Sequence, residues 1–113
     1  MIVEHYTDIS AESVTMAGAE KVSIRWLLGK DSPAPNFYLR LFEVQPGGRT
    51  PYHAHPYEHE IFVLEGRGRI NAQEGSQDVA SGAFALVMPD EEHQFENAGQ
   101  EPLKFLCLIP TEK

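Results

Sequence analysis

Residues Pro46 to Gly66 read PGGRTPYHAHPYEHEIFVLEG, which sets three histidines within seven residues directly ahead of a strand-forming run. His53 and His55 are two apart, so in extended backbone both side chains leave the same face and can converge on one ion. His59 follows a bend expected at Pro56, where the chain can turn a third imidazole back to the same point. His93, in PDEEHQFEN, stands far along the chain and can join them only through tertiary structure. Together the four read as a metal site, against the plainer reading of a cluster of core-edge histidines. His5 lies outside this pattern and reads as a solvent-exposed or packing histidine.

Outward from the histidines the chain reads as short strands punctuated by turn residues. Upstream, KVSIRWLLG alternates apolar Val22, Ile24 and Trp26 with polar neighbours, the period of a half-buried strand. DSPAPN is a loop, and FYLRLFEV is apolar on both faces apart from Arg40 and Glu43, which suggests a strand covered on both sides. Arg40 shares parity with Tyr38 and Phe42, so it either reaches a cavity, pairs with an acid, or snorkels from an edge. PGG then reads as a tight turn. Downstream, EIFVLEG is a strand, GRGRINAQEGSQDVASG a hairpin, and AFALVMP, HQFEN and PLKFLCLIP three more strands. Lys104 marks one face of the last strand as wet, so Phe105, Cys107 and Ile109 should point inward.

The count is roughly eight strands with no convincing long amphipathic helix, which means an all-β barrel or sandwich. Residues 1–19 form an arm with a short strand, and a helix between Ala11 and Ala19 is disfavoured by Gly18 and the β-branched residues. A chain of 113 residues suits a single domain spanning 1–113. Its acids outnumber its bases 17 to 9, for a net charge of −8, which argues against a nucleic-acid partner. No apolar run is long enough to cross a membrane and no secretory signal opens the sequence. The lone Cys107 excludes an internal disulfide framework and fits a reducing cytoplasm.

These residues resemble the cupin family, whose two motifs lie on a double-stranded β-helix, or jelly-roll barrel, with a metal in its mouth. Gly47, His53, His55 and Gly66 fall at the first motif's positions, and His93 and Asn97 at those of the second. The second motif fits more loosely upstream, where Gly82 is present and Pro89 falls one residue late. His59 occupies the place of the family's usual glutamate ligand. Glu58 and Glu60 flank it as competing ligands, but strand alternation turns both away if His59 faces inward, and the count of six residues to Gly66 selects His59. The resemblance therefore implies a four-histidine ligand set, His53, His55, His59 and His93, of the kind found in small single-domain cupins that bind manganese.

Neutral imidazoles leave the ion's full charge on the site, strengthening it as a Lewis acid. They accept zinc, nickel, copper, iron or manganese, with manganese favoured by the resemblance and iron next. Metal affinity should fall as pH drops through the ordinary histidine range, roughly 6.5 and below. Phe95, Phe105, Cys107 and Ile109 are expected to wall a small dry pocket beside the ion, with Arg40 as a further candidate, although a core role fits the apolar four equally well. Cys107 reads as a buried small hydrophobe rather than a nucleophile.

The leading functional expectation is a metal-dependent oxidoreductase of dioxygenase type acting on a small, largely apolar substrate. Lewis-acid isomerase or lyase chemistry and a non-catalytic ligand-binding or sensing module are the alternatives. Family behaviour implies a homodimer, with the N-terminal IVEHY segment as the candidate strand for pairing across barrels.

Overall fold

The computed structural model describes residues 1–112, in which nine strands and one 3-10 turn account for all regular structure. The strands are β1 (Glu12–Ser13), β2 (Glu20–Leu28), β3 (Phe37–Arg49), β4 (His59–Glu65), β5 (Arg67–Ala72), β6 (Gly75–Ala80), β7 (Phe84–Val87), β8 (His93–Asn97) and β9 (Leu103–Pro110). They form one curled antiparallel sheet in the order β6-β5-β8-β3-β9-β4-β7, with β2 also on β3 and β1 on β2. This is the expected all-β jelly roll.

Period-two burial explains the pairing. In β9, Leu103, Phe105, Cys107 and Ile109 are buried while the residues between them are not, so the inward face expected from Lys104 is the one observed. Phe105 stacks on Phe42 of β3 and tilts against Phe95 of β8, with ring centroids 5.2 and 4.7 Å apart, and these contacts join the two halves of the core. In β3 both Tyr38 and Val44 on one face and Leu41 on the other are buried, as expected for a strand covered on both sides.

Two local expectations are corrected. Pro46, Gly47 and Gly48 do not turn the chain; they lie inside β3, which runs on to Arg49. Opposite them the register jumps from Val22↔Val44 to Glu20↔Arg49, a bulge that bends β3 from its pairing with β2 and β9 toward β8. The glycines serve that bulge, since a side chain at Gly48 would strike the carbonyl oxygens of Glu20 and Gln45. The arm is the second case. IVEHY carries no strand: residues Tyr6–Asp8 form a 3-10 turn capped by His5, and the short strand is Glu12–Ser13. Arg25 of β2 donates to the carbonyls of Tyr6 and Ile9, which ties the arm to its own barrel.

Gly66, between β4 and β5, has φ of 87°, and a Cβ there would run into the Pro102 carbonyl oxygen. Replacing Gly66 with Ala should therefore destabilise the protein by about 2 kcal/mol or more, combining left-handed strain with a backbone clash. Urea unfolding of the variant measures it, and an unchanged midpoint would contradict this account of the β4–β5 junction.

Candidate metal centre

The centre is built on backbone pairing between two distant segments. His53 N–H donates to the His93 carbonyl at 3.1 Å and His93 N–H to the His53 carbonyl at 2.9 Å, an isolated antiparallel bridge that sets the two residues face to face. Just upstream, Thr50 N–H donates to the Phe95 carbonyl, and Phe95 N–H to the Thr50 hydroxyl, both at 2.8 Å. Downstream, Asp90 N–H donates to the His55 carbonyl at 2.6 Å, which carries the turn after β7 to the second histidine. The Glu91 carboxylate accepts from Met88 N–H and closes that turn, so it is occupied there. Asn97 is also structural: its amide donates to the Val44 and Glu101 carbonyls and its oxygen accepts from Gly99 N–H.

Three of the imidazoles, those of His53, His55 and His93, form one potential ligand cluster, and the ring of His59 lies beside them. Ligand atoms of His53, His55 and His93 lie within 4.8 Å of one another. His59, the first residue of β4, brings its ring centroid to 4.9 Å from His93 and 5.0 Å from His55. Glu58 and Glu60 are exposed, and Glu60 pairs with Leu108 as its neighbour on β9, so strand alternation turns both carboxylates away from His59.

Three details fit this cluster to a cation. His55 Nε2 lies 3.3 Å from His53 Nε2, a hydrogen bond in which one ring donates its N–H to the other, so both ring nitrogens face one point where an ion could take the place of that proton. His93 Nδ1–H donates to the Glu91 carbonyl at 2.9 Å, which leaves Nε2 as the free lone pair. His59 is only 3% exposed, and its Nδ1 is buried with no hydrogen-bond partner among the described residues. An orphaned ring nitrogen in such a place is costly unless something absent from the protein itself engages it.

The cluster opens into a cavity of about 530 Å³. All five expected lining residues, Arg40, Phe95, Phe105, Cys107 and Ile109, line it. Its size exceeds the small pocket expected, because β2 and the arm supply another wall through Trp26 and residues Val14 to Met16, and Tyr57 closes over the histidines by stacking on His55 at 5.2 Å. Trp26 and Ile24 follow from the alternation of β2; the contribution of the arm had no periodic signal to announce it. Arg40 takes the cavity option rather than the edge: its Nη2 donates to Cys107 Sγ at 2.8 Å. Burial pushes the Cys107 thiol up, opposed by Arg40, so it is the neutral hydrophobe expected.

Burial also lowers the imidazoles. His53 is lowered to about 4 by desolvation and then by the charges of His55, His93 and Arg40. His59 is lowered to about 3 by desolvation, then by Arg40 and the other three rings. His55 moves in the same direction, by burial and then by His93 and Arg40.

The cupin domain family matches residues 40–109, more than half of the chain, and the chain belongs to that family. It is similar over 99% of its length to the polyketide cyclase RemF of Streptomyces resistomycificus, with 36% identity, a TM-score of 0.92 and 80% of that chain covered. It is 33% identical over 75 residues, 66% of its own length and 48% of the relative's, to 1-methylthio-D-xylulose 5-phosphate methylsulfurylase of Rhodospirillum rubrum. A third relative is the oxalate-binding protein of Thermotoga maritima, 28% identical over 96% of this chain and 93% of that one. The chain thus spans about half the length of the methylsulfurylase and nearly all of the oxalate-binding protein.

The imidazole shifts fix a pH dependence for the metal-free protein. As pH falls below 6.5 the unfolded chain takes up protons that folded His53 and His59 refuse until about 4 and about 3, so stability should fall steadily across that window. Melting temperatures of metal-stripped protein between pH 7 and 4 test this, and a flat profile would contradict the buried, neutral state of these rings.

Proposed function

We propose that His53, His55, His59 and His93 together hold one divalent metal ion, and that the protein is an enzyme acting on a carbonyl-bearing, largely apolar molecule in the manner of a cyclase. One observation carries this reading: four imidazoles, with no carboxylate among them, at the buried end of an aromatic-walled cavity. When bound, the ion supplies Lewis acidity, polarising a carbonyl oxygen and stabilising charge that develops on it. The rings keep that charge undiminished because they are neutral donors. Phe42, Phe95 and Phe105 present an apolar wall that positions the substrate carbon skeleton and limits water around it.

Cavity chemistry distinguishes among the activities of the relatives. About 530 Å³ suits a molecule of many heavy atoms and is far larger than a two-carbon diacid such as oxalate. A sugar phosphate calls for several cationic or amide donors, whereas Arg40 is the one guanidinium lining the cavity. An extended poly-carbonyl chain meets both constraints, and the likeness to a polyketide cyclase along nearly the whole chain supports it. Manganese is the first candidate ion and iron the second, supported by resemblance to all-histidine cupins; a reducing cytoplasm suits the single thiol.

Dioxygenase-type oxidation would use the same ligands and is separated by dioxygen uptake. Protein purified without added metal should contain about one equivalent of divalent ion. His59→Ala should lose it far more readily than Glu58→Ala or Glu60→Ala. Loaded protein should speed deuterium exchange beside the carbonyl of benzylacetone in heavy water without consuming dioxygen. Dioxygen consumption with benzoylacetone would restore the oxidoreductase reading, while stoichiometric binding of either compound without exchange would make the protein a sensor; equal metal loss in the three variants would return a carboxylate to the ligand set.

We also propose a homodimer, and place its contact on the outer face of β4 and β7. Phe84 is 83% exposed and Leu86 55%, beside Phe62 and Leu64, and β7 is a free sheet edge. A free antiparallel edge can pair with the same edge of a second copy about a two-fold axis, which would bring the two apolar patches side by side. Phe84→Glu should convert the protein to a monomer in sedimentation equilibrium; a dimer persisting in that variant would move the contact to another face.

A further inference from the structure

Arg40 sits in the middle of β3, in register with Trp26 of β2 on one side and Cys107 of β9 on the other. Its guanidinium lies 5.4 Å from the Trp26 ring and 5.0 Å from the Phe42 ring, and its one hydrogen bond among the described residues goes to the Cys107 sulfur. Its Nε is buried with no hydrogen-bond partner among the described residues. The ion pairs among the described residues engage Arg49, Arg69 and Lys104, and none includes Arg40. Want of acids is not the reason, since the chain carries 17 acidic residues against 9 basic ones.

That arrangement leaves a specific deficit. Aromatic neighbours attract the cation through their faces but offer nothing to its N–H edges, and a protonated thiol is a weak acceptor. A charged fork held in an apolar cavity without a counter-ion is costly, and a metal cation among the imidazoles would add a second positive charge to the same space. Among the described residues the only acidic side chain lining the cavity is that of Glu112, which is exposed. The missing partner is therefore an anion that enters with the ligand. A planar carboxylate matches the guanidinium fork in shape and in charge, whereas a phosphate dianion would exceed what a single arginine neutralises.

We infer that Arg40 receives a carboxylate on an otherwise apolar ligand, so that the substrate class is a keto acid rather than a neutral ketone; this rests on the reading of the cavity as the ligand site, but not on metal binding. Arg40 is then the specificity residue: it orients the acid end while the carbonyl faces the imidazoles.

The chain has a single tryptophan, Trp26, against the guanidinium, so its fluorescence reports occupancy directly. Hydrocinnamate and hydrocinnamamide share shape and differ in charge. Titrated into metal-stripped protein at mildly alkaline pH, the acid should bind on the order of tenfold more tightly than the amide, as for a charge-assisted hydrogen-bonded pair. Arg40→Gln should erase that preference and Arg40→Lys should keep part of it, with melting temperatures confirming that both variants fold. Equal affinities of acid and amide for the unmodified protein would overturn the inference without recourse to any variant, and so would a preference that survives Arg40→Gln. Acid preference in protein that holds no metal and exchanges no deuterium would uphold Arg40 while removing the Lewis-acid reading. Metal binding and exchange without acid preference would do the reverse.

Discussion

The reciprocal pair of backbone hydrogen bonds between His53 and His93 is the constraint on which the site depends. Each bond is worth only about 1 kcal/mol net. Their effect is geometric: they hold the segment after β3 against the start of β8 and so set the backbones that carry the two imidazoles directly opposite each other. The Thr50–Phe95 exchange just inside them and the Asp90–His55 bond just outside extend that join on either side. His59 needs no such tie, because it begins β4, whose ladders to β7 and β9 already place it.

Burial then prepares the cluster electrically. Desolvation that makes protonated His53 and His59 unfavourable also keeps their lone pairs available, and Arg40 works in the same direction by charge. The price of this arrangement is a buried nitrogen on His59 that has no hydrogen-bond partner among the described residues. A site built for structure alone would have paired these groups with carboxylates, of which the chain has a surplus.

Much of this was legible in the sequence because period two survives wherever one face of a strand is core. β9 shows it most cleanly; for Arg40, parity with Tyr38 and Phe42 left a cavity position, an acid partner and a snorkelling edge position all open, and the fold puts it on the cavity. The convergence of the histidines followed from the same rule together with the family's spacing. Pro46-Gly47-Gly48 misled because bulges and turns use the same glycine chemistry, and what separates them is the strand opposite, where Lys21 takes a positive φ of 56°. The width of the cavity was hidden for another reason: residues Val14 to Met16 reach it through a two-residue strand too short to show any period.

That thin attachment has its own consequence. Glu12 and Ser13 pair with Ile24 and Ser23, and Val14 N–H adds one bond to the Val22 carbonyl, so the outer wall of the chamber hangs on very few ladder contacts. Besides them, the arm is held by Arg25, which donates to the Tyr6 and Ile9 carbonyls. Relatives could thus widen or narrow their aperture by editing a dozen leading residues, retuning which guests are admitted while the chemistry within stays untouched.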